Sequence, residues 1–254
     1  MPLEIDKFLL VFARVSGLFL SAPVYSSRQI PVQIKVFLGL LLAAIITYVR
    51  PISTRVELDN TGIFLVALAV EVFTGYALGL AGYVLFAAVQ LAGQLVDMQM
   101  GFGIVNVMDP QSGMQVPLVG SFYYLLAILV FLGIDGHHQL LSAVYHSYDV
   151  IPILGAKFQP GFTAFLVKLG GYMFVLGVKI AAPVVAALLV ADTALGFMAR
   201  TVPQMNIFLV GMPLKILGGI VMLLLVIPVY VWLLQVLFAQ FFDCLDQALY
   251  FLAR

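Results

Sequence analysis

Asp135, His137, His138 and His146 bring four metal-ligand side chains into one short stretch. A metal site needs donors that converge from fixed positions and a second layer that orients them. Adjacent histidines in a connecting loop, as this stretch reads, do not supply that, and no metal ligand is assigned. Gly101-Phe102-Gly103 lacks the preceding strand and the third glycine of a dinucleotide fingerprint. There is no Gly-x-Ser-x-Gly elbow, no His-Glu-x-x-His and no P-loop. The single cysteine, Cys244, excludes a disulfide within the chain and any multi-cysteine cluster, and reads as a small buried apolar residue. No catalytic residue, metal or cofactor is expected, and the chain reads as a non-enzyme.

The unusual chemistry lies in charges set inside apolar stretches: Arg14, Lys35, Glu71, Lys168, Lys179 and Lys215. A charge at a bilayer centre costs about 2.5–3.5 kcal/mol. One acid cannot neutralise five bases. Snorkelling suits Lys35 and Lys215, which lie near segment ends. Lys168 and Lys179 are three helical turns apart and share one face, so they point to acids on partner subunits or to a helix not surrounded by lipid. A second pattern runs through Glu71, Gly75, Gly79, Gly82, Phe86, Gln90, Gln94 and Asp97 at three- and four-residue steps. Small residues let helices approach closely and amides bond across them, so this stripe reads as protein-facing packing. A polar-lined transport path is the competing reading.

The elements that carry these residues follow from composition. Of 254 residues, 63% are hydrophobic and 9% charged, with 12 bases balancing 12 acids. Soluble domains run at about 45–50% apolar and about 25% charged. This excludes a disordered chain, a soluble enzyme and a basic nucleic-acid binder, and leaves an all-α membrane protein. Long apolar runs without alternation disfavour a β-barrel. Glu4, Asp6 and Lys7 give no positive n-region, and Arg14 interrupts the run that follows, so no cleavable signal is expected.

Apolar segments cover 8–25, 32–49, 63–96, 116–134, 161–191 and 207–242. The longest reach roughly 50 Å at about 1.5 Å per residue, against a hydrocarbon core of about 30 Å. The long ones must therefore bend, form hairpins or project beyond the lipid. Gly75, Gly79, Gly82, Pro183, Gly218, Gly219 and Pro228 favour bends and hairpins. With six single crossings, Lys7, Arg50, Arg55, Lys157 and Arg254 oppose Arg28 and Arg200, a lean toward a cytoplasmic N-terminus. A hairpin in any long segment undoes that count, so orientation stays open. Met98, Met100, Met108 and Met114, with Gly101, Gly103 and Gly113, make 98–117 an adaptable stretch. It reads either as a loop covering apolar surface or as a deformable seal across a pore.

Two stretches carry a family resemblance. Gly93-Gln94-Leu95-Val96-Asp97-Met98-Gln99-Met100-Gly101-Phe102, continuing to Asp109-Pro110 and Pro117, is similar to the central signature of the FliR family of flagellar type III export-gate proteins. Ala191-Asp192-Thr193-Ala194-Leu195-Gly196-Phe197-Met198-Ala199-Arg200-Thr201-Val202-Pro203-Gln204-Met205-Asn206-Ile207-Phe208, ending Gly211-Met212-Pro213-Leu214-Lys215, resembles it more specifically. Pro203-Gln204-Met205-Asn206 resembles the flagellar branch more than the related SctT proteins of virulence secretion.

The resemblance implies assembly with FliP and FliQ, association with FlhB, FlhA and rod/basal-body proteins, and a portal for unfolded flagellar subunits. It implies a FliP-like part over 1–160 and a FliQ-like helical hairpin over 161–254, in the bacterial inner membrane, with much of the assembly on the periplasmic side. The loop near 105–116 would contribute to a plug. The gate residues expected are Met98, Met100, Phe102, Val105, Asn106, Val107, Met108, Asp109, Pro110 and Met114. Glu71, Gly75, Gly79, Gln90, Gln94, Asp97, Lys168 and Lys179 are expected subunit contacts, and the second signature adds Asp192, Arg200, Pro203, Gln204, Asn206 and Lys215. A virulence-type gate subunit, a small-solute transporter and a structural membrane scaffold are the rival readings. A transporter needs a substrate site at the bilayer midplane.

Overall fold

Where water is excluded, backbone groups must find partners within the protein, and in this chain they find them in helices. The computed structural model describes residues 2–50, 61–103, 117–156, 160–202, 204 and 206–253. Among these residues lie seven helices and no β-strand: α1 (Pro2–Ser21), α2 (Val32–Val49), α3 (Thr61–Met100), α4 (Leu118–Gly133), α5 (Gly136–Val150), α6 (Pro160–Thr201) and α7 (Ile207–Ala253). Four of the described helices are long and apolar enough to cross a membrane, or five spans if α4 and α5, bent by 66°, count as one. The chain is an all-α membrane protein.

Three sequence expectations need correction. The long segments are not broken: α3, α6 and α7 are continuous over 40, 42 and 47 residues, with Pro183, Pro213 and Pro228 inside them. At about 1.5 Å per residue they reach roughly 60–70 Å, twice the thickness of a hydrocarbon core. Of the glycines taken as breakers, Gly75, Gly79, Gly82 and Gly219 are packing surfaces, and Gly218 lies open inside α7. The stretch holding the histidines is not a loop but α5, whose buried Leu140, Val144, Ser147 and Tyr148 recur at helical spacing. The segment drawn to end at 191 continues as α6 to Thr201, which brings Asp192 inside a helix.

Contacts divide the chain into two units, Met1–Leu85 with Phe131–Gly171 and Leu237–Arg254, and Phe86–Val130 with Tyr172–Val236. In the first, α1 lies against α3 through glycine. A β-carbon on Gly75 would overlap the carbonyl of Arg14, one on Gly17 the carbonyl of Val72, and one on Gly79 would come within 2.7 Å of the Ala22 nitrogen. The Ser21 hydroxyl donates to the Tyr76 carbonyl across the same contact at 2.9 Å.

This approach encloses a wholly buried ion pair. Arg14 Nε donates to Glu71 Oε2 at 2.6 Å, and both side chains are 0% exposed. Arg14 Nη1 donates to Ser147 Oγ at 2.9 Å, and both terminal nitrogens donate to the Ile151 carbonyl at 3.1 Å. The guanidinium lies 4.0 Å from the centre of the Tyr148 ring. Glu71 Oε1 accepts the Leu154 backbone N–H at 3.1 Å. Leu154 itself sits at φ 60°, in the left-handed region. Elsewhere in this unit Arg50, at the end of α2, pairs with Asp149 and donates to the Tyr145 carbonyl. The Tyr25 hydroxyl donates to the His137 carbonyl at 3.2 Å. Burial pushes that phenol up to about 12, so it remains a donor through the neutral range.

In the second unit the Tyr123 and Tyr230 rings stack at 4.4 Å, and the Tyr230 hydroxyl donates to the Tyr123 carbonyl at 3.0 Å. Met100, 1% exposed, fills the space over Gly219, where a β-carbon would lie 2.7 Å from its methyl carbon.

Two outcomes follow. Gly75→Leu should lower stability by about 1–3 kcal/mol or more, because backbone cannot yield as a side chain can; an unchanged thermal midpoint in detergent would contradict the packing. Arg14→Met should cost about 3–5 kcal/mol by leaving Glu71 buried without its base, whereas Arg14→Met with Glu71→Leu should recover most of that loss. Denaturant unfolding of the two single variants and the double variant reads the difference, and an additive cycle would remove the ion pair from its central place.

Candidate gate and subunit contacts

The expected gate residues divide. Val105, Asn106, Val107, Met108, Asp109, Pro110 and Met114 lie outside the described residues. Met98 is 72% exposed, Phe102 is half-buried, and Met100 is spent on packing against Gly219. What is described at this place is the pair of helix ends on either side of 104–116.

Those ends are held by hydrogen bonding to backbone. α3 stops in a Schellman arrangement: Phe102 N–H donates to the Asp97 carbonyl at 3.1 Å and Gly101 N–H to the Met98 carbonyl at 3.2 Å. Gly101 supplies the φ of 93° that this stop requires. α4 begins after Pro117, which has no side-chain acceptor for the open N–H groups of a first turn. The Asp97 side chain reaches across from α3 instead. Its Oδ1 accepts Val119 N–H at 3.0 Å and its Oδ2 accepts Gly120 N–H at 3.1 Å. A β-carbon on Gly93 would overlap Gly120, so the two helices touch by backbone just below that bond.

Several expected subunit contacts are consumed within the chain. Glu71 is 0% exposed and holds Arg14; Gly75 and Gly79 face α1; Asp97 is 6% exposed and holds α4. Within the chain, Glu71 meets the Arg14 side chain, Gly75 and Gly79 meet the α1 side of the unit, and Asp97 meets backbone N–H groups. Gln90 is half-buried and Gln94 exposed. Asp192 gathers two elements: Oδ1 pairs with Lys215 Nζ at 2.7 Å, and Oδ2 accepts Gln99 Nε2 at 2.8 Å. That pair is part-exposed and contributes about 0–1 kcal/mol. Lys35 donates to the Ser27 carbonyl at 2.7 Å. Lys168, Lys179 and Arg200 are exposed, with no ion pair among the described residues. Gln204 and Asn206 are exposed beside Pro203, which lies outside the described residues.

Asp135, His137 and His138 present donor atoms within 4.8 Å of one another. They stand at the N-terminus of α5, whose dipole works against a cation there. His146 lies further along the same helix, 3.4 Å from Asp149.

The sequence matches the model of the bacterial export proteins, family 1, over residues 5–241. It is 40% identical over 225 residues to the flagellar biosynthetic protein FliR of Bacillus subtilis, covering 87% of this chain and 86% of the relative. It is 33% identical to FliR of Pectobacterium carotovorum over 96% of this chain and 93% of that protein. For FliR of Escherichia coli the identity is 31%, over 91% and 88%. With helices that run past a bilayer's thickness and a match spanning nearly every one of them, the chain belongs to the bacterial export proteins of family 1.

Proposed function

We propose that this chain is a core subunit of the flagellar type III protein export gate. In the bacterial inner membrane it forms, with FliP- and FliQ-like proteins, the gated pore through which unfolded flagellar subunits pass. FlhB, FlhA and rod/basal-body proteins are its further partners, and much of the assembly stands on the periplasmic side. The observation that carries this reading is the near-complete match to relatives named as flagellar biosynthetic proteins.

The geometry supports an assembled rather than a solitary protein. Helices of 40–47 residues exceed what lipid can cover. On α6, Phe174, Val178, Val190 and Phe197 are exposed together with Lys168 and Lys179. On α7, Leu217, Leu224, Leu225 and Trp232 are exposed. An apolar surface interrupted by unpaired bases suits acid-bearing partner helices better than acyl chains. In this reading 1–160 is the FliP-like part, with Met98 and Phe102 leading into a plug over 105–116, and 161–254 is the FliQ-like hairpin. Lys168, Lys179, Gln94, Arg200, Gln204 and Asn206 face partners. The protein's work is gating, not catalysis: an apolar constriction that excludes ions when shut and deforms around a passing chain.

Deleting 106–115 should make cells leak ions while the complex still assembles; an assembled deletion complex with unaltered membrane conductance would end the plug assignment. Lys168→Ala with Lys179→Ala should cut co-purification with FliP- and FliQ-like proteins about tenfold, the factor given by about 1.4 kcal/mol of lost pairing. Full yield and full motility in that variant would remove the lysines from the interface.

A further inference from the structure

The turn from α4 into α5 gathers ligand chemistry that neither the buried ion pair nor the export reading uses. Asp135, His137 and His138 each offer one donor atom, and the three lie within 4.8 Å of one another. A loop would not fix such donors. Here they stand at the start of a 15-residue helix, and its first turn is anchored. A β-carbon on Gly136 would come within 2.4 Å of the Phe131 ring, itself 0% exposed, so the turn rests on the core. The Tyr25 hydroxyl donates to the His137 carbonyl at 3.2 Å, and the Asp135 carbonyl accepts His138 N–H at 3.0 Å. The backbone is thus held while the side chains are not. An aspartate before a helix ordinarily accepts N–H groups of the first turn, but Asp135 makes no side-chain bond to it. Its Oδ1 stands 3.6 Å from His138 Nδ1, beyond hydrogen-bond reach. That is the spacing of two donors on one ion: bonds of about 2.0–2.2 Å in tetrahedral geometry set donors roughly 3.3–3.6 Å apart. His137 Nδ1 is buried without a hydrogen-bond partner among the described residues, an unfavourable state that coordination relieves. The N-terminus of α5 disfavours a bare cation, and the Asp135 carboxylate supplies the negative charge that answers it.

We propose that Asp135, His137 and His138 bind a divalent transition-metal ion, with Zn²⁺ the ion of fitting chemistry, at the turn from α4 into α5. Two imidazoles and one carboxylate suit Zn²⁺ and its neighbours, and suit poorly Mg²⁺ and Ca²⁺, which take oxygen donors. Asp135 and His138 are exposed, so water completes the coordination. The ion ties the residue at the bend, Asp135 with its φ of 56°, to the first turn of α5, so binding stiffens the bend.

The test uses the full chain, purified in detergent without a histidine tag, stripped by chelator and titrated with Zn²⁺ by calorimetry. The unaltered chain should take up one ion, and its thermal midpoint should rise with Zn²⁺, as for any ligand bound by the folded state alone. His137→Gln, His138→Gln and Asp135→Asn should each weaken binding at least about tenfold, since even an outer-layer partner of a metal site is worth that much. His146→Gln, further along α5 and 3.4 Å from Asp149, should bind as the unaltered chain does. X-ray absorption at the zinc edge should show nitrogen and oxygen neighbours at about 2.0–2.2 Å. Circular dichroism checks that each variant is folded, and where one is not, the stoichiometry and absorption of the unaltered chain decide. No saturable uptake of Zn²⁺ by the folded, unaltered chain overturns the proposal. Uptake that His137→Gln and His138→Gln leave unchanged puts the ion elsewhere and overturns it too. So does displacement of Zn²⁺ by an equal concentration of Mg²⁺, which denies the imidazoles a part.

Discussion

The first unit is organised around the cost of placing Arg14 out of reach of water. A lone base in an apolar medium is unfavourable by several kcal/mol, and its attraction to a single acid recovers that only when the remaining donors are also satisfied. Glu71, Ser147 and the Ile151 carbonyl together meet that requirement. Each has its own structural demand. Glu71 comes into range only because Gly17 and Gly75 remove the side chains that would hold α1 and α3 apart. Ser147 and Ile151 come into range because α5 turns away from α4 at Asp135, itself in the left-handed region at φ 56°. Leu154 accepts a strained backbone to deliver its N–H to the other oxygen of Glu71. The glycine contact, the bend and the strained residue are answers to one electrostatic problem.

The same economy runs through the distribution of charge. Residues 56–156 contain seven acids and no lysine or arginine. Four of those acids lie among the described residues, and each has a different partner. Glu71 is served by Arg14 and Asp149 by Arg50, both from before the base-free region. Asp97 is served by backbone N–H groups, and Asp135 faces His138 at 3.6 Å. A net charge of zero is thus reached through long-range pairings and not by neighbours along a helix. Among the described residues, the bases of α6 have no ion-pair partner.

Much of this was legible in the sequence. Membrane class follows from composition, and α2 matches its apolar run residue for residue. The stripe from Glu71 to Asp97, apart from the exposed Gln94, marks the packed face of α3. What escaped were facts set by tertiary proximity. Glycines spaced along α3 look like breaks until an opposing backbone is known to fill them. Asp192 looks like a segment end until Lys215 and Gln99 are found beside it. Asp97 caps a helix through Val119, 22 residues away, which no local pattern announces. The helical character of 136–150 was readable: Leu140, Val144 and Ser147 give the spacing, but adjacent histidines and low apolar content drew attention from it.

The separation between Arg14 and its partners also sets a timetable for biogenesis. Glu71 follows Arg14 by 57 residues and Ile151 by 137. At about 5–20 residues per second, the counter-charge emerges roughly 3–11 s after the base, and the last acceptor roughly 7–27 s after it. Until then a base carried into the bilayer would cost about 2.5–3.5 kcal/mol. A newly made α1 therefore lacks its counter-charge until α3 has emerged and its last acceptor until α5 has followed, so the order in which this protein is made is not the order in which its buried ion pair is completed.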